Sequence, residues 1–215
     1  QLGVSWISGR LPEYSIAKFL KLAFSNRTEN SYYLKKVTYP QEGGFFSFIQ
    51  ELAAKHNSKT KHNFACLEID LERKTATFED GKEIKFKTLI NTLPLPLFCK
   101  MLKGRTDLSI LTSTFEATSM YLVSVGINED LDLPLWMYFY DEDILAARSY
   151  SPSEKSKSNA PMCCSSIQFE IYRSDREIFL TNNEIIENTK LALSRLGVSL
   201  EKVDFIEVDW EPNAN

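Results

Sequence analysis

His56 and His62 are the only histidines in the 215 residues. Any Ser-His-Asp or Cys-His machinery would have to use one of them. His56 falls at the predicted end of a helix, where a cation suits the terminal carbonyls, and His62 falls in a Lys/Asn-rich loop. Both read as solvated residues. No Gly-x-Ser-x-Gly elbow, no Walker loop and no Gly-x-Gly-x-x-Gly turn occurs in the sequence. Asp141, Glu142 and Asp143 are consecutive carboxylates. Adjacent residues do not flank one substrate as glycosidase carboxylates must, so they read as a solvated turn. The four cysteines are Cys66, Cys99, Cys163 and Cys164, with no Cys-x-x-Cys among them. They are too few for a disulfide framework and lack metal-site spacing, so no metal is expected and they read as reduced core or strand residues. On a strand, the adjacent Cys163 and Cys164 would point to opposite faces. No catalytic residue can be assigned from these groups.

Two patterned segments remain. Tyr39-Pro40-Gln41-Glu42-Gly43-Gly44 precedes a helical pattern. Paired glycines there allow close backbone approach, and exposed N–H groups can face an anion. The same residues also read as a tight turn entering a helix. The second segment runs from Phe78-Glu79-Asp80-Gly81 to Leu89-Ile90-Asn91-Thr92-Leu93-Pro94-Leu95-Pro96. It predicts a hairpin and then a buried strand, whose terminal prolines push the backbone out of the ladder. A plain hairpin followed by a helix start fits it as well.

The elements that must position these segments follow from periodicity. Ile16, Phe19, Leu20 and Ala23 share one face of a helix that opens after Pro12. A second helix is predicted over Phe45 to His56, with Phe48, Ile49, Leu52 and Ala53 as its apolar set. Phe64 to Leu71 alternates as a strand. Asp80-Gly81 joins strands at Thr75–Phe78 and Glu83–Phe86. Thr88 to Asn91 reads as a buried continuation. Pro96 opens a short helix with Phe98, Met101 and Leu102 inward, stopped by Gly104. Strands are expected at Met120–Ile127, Leu135–Tyr140, Leu145–Tyr150 and Met162–Ile171, with a mobile, solvated loop over Ser151–Pro161. Thr181-Asn182-Asn183-Glu184 is a capping box opening a helix that buries Ile185, Ile186, Thr189, Leu193 and Leu196 and ends at Gly197. Val203 to Val208 is a last strand. Helices and strands mix without βαβ alternation, so the expected class is α+β, a mostly antiparallel sheet with flanking helices.

Composition sets the bounds. Hydrophobic residues make up 43% and charged residues 25%, as in globular chains. The net charge is -4 and the pI about 5.4, which argues against nucleic acid or an anionic membrane as main partner. No apolar run reaches the ~20 residues of a membrane span, and no signal peptide is visible. Free cysteines give a cytoplasmic compartment as the default expectation. The first residue is Gln1 rather than Met, consistent with a processed or engineered start.

Taken in order, the segments resemble the flavin-dependent amine oxidase superfamily. The branch resembled is protoporphyrinogen-oxidase-like, with UDP-galactopyranose-mutase-like proteins as near relatives. The likeness rests on Trp6-Ile7-Ser8-Gly9-Arg10-Leu11-Pro12 before a helix and on the Tyr-Pro-x-x-Gly-Gly of Tyr39 to Gly44. It continues with the strand at Cys66-Leu67-Glu68-Ile69-Asp70 and the hairpin leading from Asp80 to Pro96. It ends with Trp136-Met137-Tyr138-Phe139 followed by Arg148. Such proteins begin with a Gly-x-Gly-x-x-Gly unit for the FAD pyrophosphate and end with a second glycine-rich segment. Neither is found here, so the resemblance implies an internal, substrate-side piece of a longer flavoprotein. It implies three regions: a helical segment at 1–62, strands and a hairpin returning to the flavin domain at 63–104, and a sheet plus helix at 105–215.

By the same resemblance, Cys66 passes the adenine through its backbone, while Gly43, Gly44, Thr92, Leu93 and Pro94 lie toward the cofactor. Valine is commoner than cysteine at position 66, a change that a backbone contact tolerates. Trp136, Tyr138 and Arg148 are the implied substrate-side residues, and an arginine beside aromatics can hold a carboxylate or phosphate. They also read as core aromatics and a surface arginine. The implied function is the substrate-binding region of an FAD-dependent oxidoreductase acting on a small molecule. Alone, the piece is expected to be inactive, not to retain FAD, and to self-associate through exposed edges. Two alternatives stand beside it. One is a flavin-dependent sugar isomerase, which would need paired arginines from Arg148, Arg173 and Arg176. The other is a cofactor-free binding module, complete as it stands.

Overall fold

A computed structural model describes residues 15–25, 38–112, 118–174, 179–212 and 214. The chain divides into two compact units, residues 1–39 and 40–215. In the first unit the one described helix is α1, Ile16–Ser25. The Trp6–Pro12 segment lies outside the described residues.

The second unit holds two sheets. The smaller has strands β1 (Cys66–Asp70), β2 (Thr75–Phe78) and β3 (Glu83–Lys85), all antiparallel in that order. Asp80-Gly81 forms the expected turn. Gly81 takes φ 75, and Asp80 accepts from the Lys82 amide at 3.1 Å and pairs with its ammonium. The sheet packs on α3 (Leu95–Met101), which has Pro96 in its first turn. Ile69, Ala76 and Leu102 form the centre of this cluster, with Phe78, Phe98 and Met101 around them. The short α4, Thr106–Leu111, follows.

The larger sheet has the order β5-β6-β7-β4-β8. Its strands are β4 (Thr118–Ile127), β5 (Trp136–Tyr138), β6 (Arg148–Tyr150), β7 (Ser165–Ser174) and β8 (Val203–Glu211), all antiparallel. Two central strands of ten residues pair along their whole length, from Thr118↔Ser174 to Ile127↔Ser165. Their alternation decides the layers, because successive side chains leave a strand on opposite faces. Tyr121, Val123 and Val125 join Ile167, Phe169 and Ile171 on one face. Helix α6, Asn182–Arg195, covers that face with Ile185, Ala192 and Leu193. The capping box is formed: Thr181 Oγ1 accepts from the Glu184 amide, and Glu184 accepts from the Thr181 amide. Such a cap stabilises by about 1 kcal/mol. The result is the expected α+β class, antiparallel sheets with helices on their flanks.

Four expectations are corrected. The helix over Phe45–His56 splits into a 3-10 turn at Phe45–Phe48 and α2 at Gln50–His56. Ile49, at φ -112 and ψ -3, interrupts the helical run, and Phe48, Ile49 and Leu52 are exposed rather than inward. Thr88–Asn91 is neither strand nor buried. There the Asn91 side chain captures the Leu93 amide at 3.2 Å and its carbonyl at 3.1 Å, a local ring that competes with ladder pairing. Ser151–Pro161 is not a solvated loop: it holds α5 (Pro152–Lys155) and a 3-10 turn at Lys157–Asn159, with Ser151 and Ser153 buried. Cys163 and Cys164 precede β7 in a turn, Cys163 exposed at φ 63. Of the remaining strands, β1, β3, β5 and β6 are shorter than expected, β4 begins earlier at Thr118, β7 shifts to Ser165–Ser174 and β8 extends to Glu211. Among the described residues no helix is long and apolar enough to cross a membrane.

Candidate functional site

The face of the larger sheet opposite α6 carries polar and aromatic side chains in register. One row runs Trp136, Tyr150, Gln168, Ser124 and Glu207 across all five strands. The next runs Tyr138, Arg148, Glu170, Leu122 and Asp209. Tyr172 stands beside Met120 one step further. All three substrate-side residues expected from the sequence, Trp136, Tyr138 and Arg148, therefore share this face. They come from the ends of two short neighbouring strands.

Arg148 is oriented rather than loose. Its Nε donates to Glu170 Oε2 at 2.5 Å, and its guanidinium lies 5.6 Å from the centre of the Trp136 ring. Glu170 is only 4% exposed, yet it sits on the polar face. The same carboxylate oxygen accepts from the Tyr172 hydroxyl. A buried carboxylate needs such partners, because its desolvation is otherwise uncompensated. The hydrogen bond to Glu170 holds the Arg148 guanidinium above its ordinary value, against the effect of burial, and the carboxylate charge adds to it. Burial first, and then the bond to Glu170, pushes Tyr172 up to about 12. Alongside, the Gln168 amide donates to Ser124 Oγ at 2.9 Å.

Helix α5 brings a further cation to the face. Lys155 Nζ lies 3.8 Å from the Tyr150 ring centre and 4.8 Å from that of Trp136. Burial lowers its pKa, with the Glu170 charge opposing that shift and Arg148 adding to it. The Trp136 and Tyr150 rings are themselves 5.4 Å apart.

The structure also brings part of the Tyr-Pro-x-x-Gly-Gly segment toward α5. The Ser156 and Ser158 hydroxyls both donate to the Gln41 carbonyl, the latter at 2.8 Å. Gly43 and Gly44, at φ 78 and 62, follow two residues later and turn the chain into the 3-10 segment. Ser47 folds back on Gly44, donating from its amide at 3.2 Å and its hydroxyl at 2.9 Å. Cys66 and Thr92-Leu93-Pro94 belong elsewhere. Cys66 is on β1, an edge strand of the smaller sheet, and Pro94 caps α3. Cys66 packs against the apolar cluster of the smaller sheet, and Thr92 and Leu93 are exposed ahead of α3.

Three contributors were missed in the sequence. Glu170 and Tyr172 were legible in principle, since Gln168, Glu170 and Tyr172 alternate with Ile167, Phe169 and Ile171. Lys155 carried no such signal, lying in a Ser/Lys/Asn/Pro stretch.

No protein family model matches the sequence, and no curated protein matches it. Solved structures do. Reduced UDP-galactopyranose mutase aligns with a TM-score of 0.83 at 19% identity, over 98% of this chain and 48% of that one. A putative protoporphyrinogen oxidase from Exiguobacterium sp. 255-15 aligns at 0.58 and 13% identity, over 80% of this chain and 39% of that one. A CLA-producing fatty acid isomerase from P. acnes aligns at 0.56 and 16% identity, over 79% and 40%. The chain spans about half or less of each of these proteins. This chain shares the fold of a portion of each of them, with mixed helices and antiparallel sheets.

Proposed function

We propose that the chain is the substrate-binding region of an FAD-dependent oxidoreductase. The observation carrying this reading is the Tyr138–Arg148–Glu170 row, which holds a guanidinium in fixed orientation beside Trp136 on the sheet face away from α6. The fold shared with half of a flavoprotein supports it. Arg148 would bind the anionic group of a small substrate, and Trp136 and Tyr138 would flank it. A bound flavin supplies hydride acceptance from a C–N or C–C bond, which leaves orientation and water exclusion to the protein.

On this reading Gly43, Gly44, Cys66 and Thr92-Leu93-Pro94 would meet the cofactor. Gly43 and Gly44 offer backbone without side chains, Cys66 offers the backbone of an edge strand, and Thr92-Leu93-Pro94 offers an exposed helix entrance. The sequence contains no Gly-x-Gly-x-x-Gly turn to cradle a pyrophosphate. FAD titrated into the 215-residue chain at micromolar concentration is therefore expected to give no saturable spectral change. A saturable change would show that the chain binds the cofactor unaided.

In the protein expressed from its whole gene, Arg148→Ala is expected to raise KM about 10-fold or more, as loss of a charged hydrogen bond does, with the flavin spectrum kept. Unchanged substrate affinity would sink the role of Arg148.

A sugar isomerase reading draws on the extent of the likeness to the mutase. It needs paired arginines, but register puts Arg173 opposite Ser119, on the other face from Arg148. Arg176 lies outside the described residues. Turnover of UDP-galactopyranose only after reduction of the flavin would favour this second reading.

A further inference from the structure

We propose that Met162, Cys163 and Cys164 form a binding site for a soft, low-coordinate cation, Cu(I), through two thiolates and a thioether. The inference stands apart from the substrate-side reading above. The three residues end in Cys164, just before Ser165 opens β7, and Ser165 is five strand residues from Glu170, about 16 Å at the strand rise.

The first argument is placement. On a strand, neighbouring cysteines would point to opposite faces. These two instead close a reverse turn. The Cys164 amide donates to the Pro161 carbonyl at 3.1 Å, and Cys163 takes φ 63. The strand rule that would part the two sulfurs therefore does not apply. Glycine or asparagine is the ordinary occupant of a turn position with positive φ. A cysteine there carries a backbone cost that the turn itself does not require.

The second argument is access and anchoring. Cys163 is exposed, and Met162 is 90% exposed. Cys164 is half-buried, and its thiol donates to Asn128 Oδ1 at 3.8 Å. Asn128 is itself fixed beyond the end of β4. Its backbone amide donates to the Lys202 carbonyl at 2.8 Å, and its side-chain amide donates to Asp204 at 3.3 Å. One sulfur is thus held from the inner side of the turn, while two face solvent, where an ion can enter. The thioether of Met162 sits on an unbranched, flexible stem that can follow the ion.

The third argument is the choice of ion. Thiolate and thioether are soft donors, which select Cu(I) over hard cations. Zn2+ requires a tetrahedron of ligands. Among the described residues no group of three or more histidine, cysteine, aspartate or glutamate side chains could hold a metal ion. The turn therefore offers too few donors for Zn2+, whereas a low-coordinate soft ion needs fewer. A disulfide suits the pair less well. Adjacent α-carbons lie ~3.8 Å apart, below the roughly 4.4 Å at which ordinary disulfides begin. An ion between the sulfurs lets them stand farther apart than a direct S–S bond does. Binding breaks two S–H bonds and forms two S–Cu bonds. The two protons pass to the buffer, the thioether adds a lone pair, and no oxidation state changes.

The test uses the reduced protein expressed from its whole gene, titrated anaerobically with Cu(I) held by bicinchoninate. Bleaching of the coloured chelate measures transfer to the protein. The wild type is expected to take the ion from the chelator. Cys163→Ser and Cys164→Ser should each raise the Kd about 100-fold or more, because the second thiolate then no longer adds an intramolecular step. Serine keeps the size and a hydroxyl donor for Asn128. Far-ultraviolet circular dichroism reports folding, and alanine replaces serine if either variant is misfolded. Met162→Leu should raise the Kd by a smaller factor, and Zn2+ should bind the wild type more weakly than Cu(I) does. No transfer to the wild type, or an unchanged Kd in either cysteine variant, overturns the proposal, the latter by placing the ion on another sulfur. An unchanged Kd in Met162→Leu, or tighter binding of Zn2+, overturns the assignment of a three-sulfur Cu(I) site. The substrate-side reading survives every one of these results, because none of the three residues belongs to the Arg148 row.

Discussion

Glu170→Ala is expected to lower the unfolding free energy by about 3 kcal/mol, the low end of what breaking a buried ion pair costs. The low end applies because the Arg148 side chain remains 35% exposed and regains some hydration. The loss arises from groups left behind rather than from one missing bond. Arg148 loses the acceptor for its Nε, and the Tyr172 hydroxyl loses the acceptor that it shares with Arg148. Urea unfolding measures the change. A loss under about 0.5 kcal/mol, the range of ordinary surface substitutions, would show that the pair does not support the fold. Replacing both partners by apolar residues, Arg148→Met with Glu170→Leu, is expected to restore much of the stability.

Alkaline titration gives a second readout of the same variant. Tyr172 is held neutral up to about 12 in the folded chain, whereas an unfolded tyrosine ionises near pH 10. The folded state therefore binds more protons between those values. That contribution to stability is complete below pH 10 and is lost as pH rises toward 12. In Glu170→Ala the late-ionising tyrosine should move down, because burial still opposes its charge but the bond to Glu170 and the carboxylate charge no longer do. A late fraction unchanged in the ultraviolet titration would show that Glu170 does not contribute to the shift.

Phe169→Ala is expected to cost about 3–5 kcal/mol, as large aromatic deletions in packed cores do. Phe169 is 0% exposed, lies in register between Val123 and Ser149, and packs its ring 5.8 Å from that of Phe139. Its neighbours belong to strands paired on both sides, so the cavity cannot close by moving one loop. Thermal unfolding should fall by roughly 10 °C for a chain of this size. A loss below about 1 kcal/mol would mean that the core repacks freely. The variant should leave the late-ionising tyrosine in place, because Phe169 and Tyr172 face opposite ways. Glu170→Ala should move it. The pair of substitutions thus tests whether the two faces of β7 are independent.

Local chemistry accounts for what could be read in advance. Asp80-Gly81 makes its turn because glycine accepts φ 75 there, and Thr181 with Glu184 caps α6 within one turn. Strand β4 was legible because its alternation runs for ten residues. Where reading failed, the deciding contacts are distant in sequence or fail to form. Helix α5 is ordered by Ser153 meeting Ser166 and by Ser156 and Ser158 meeting Gln41, none of which a Ser/Lys/Pro composition reveals. The apolar stripe at Phe48, Ile49 and Leu52 has the right period, yet it is exposed among the described residues. The site divides the same way. Trp136, Tyr138 and Arg148 came from a motif, whereas Glu170 sits 22 residues from Arg148 and becomes visible only once β6 and β7 pair.

The unbroken pairing of β4 with β7 also constrains how this gene can change over time. Polar-face and core-facing residues are told apart only by odd or even position along those strands. Substitutions at 168, 170 and 172 change the polar face while 167, 169 and 171 keep the core. Loss or gain of one codon within β7 would exchange the two sets and bury Gln168 and Glu170 under α6. Lineages descending from this gene should therefore diversify the face by substitution. Length variation should collect in the connections at 128–135 and 139–147, which bracket β5 and carry no such parity.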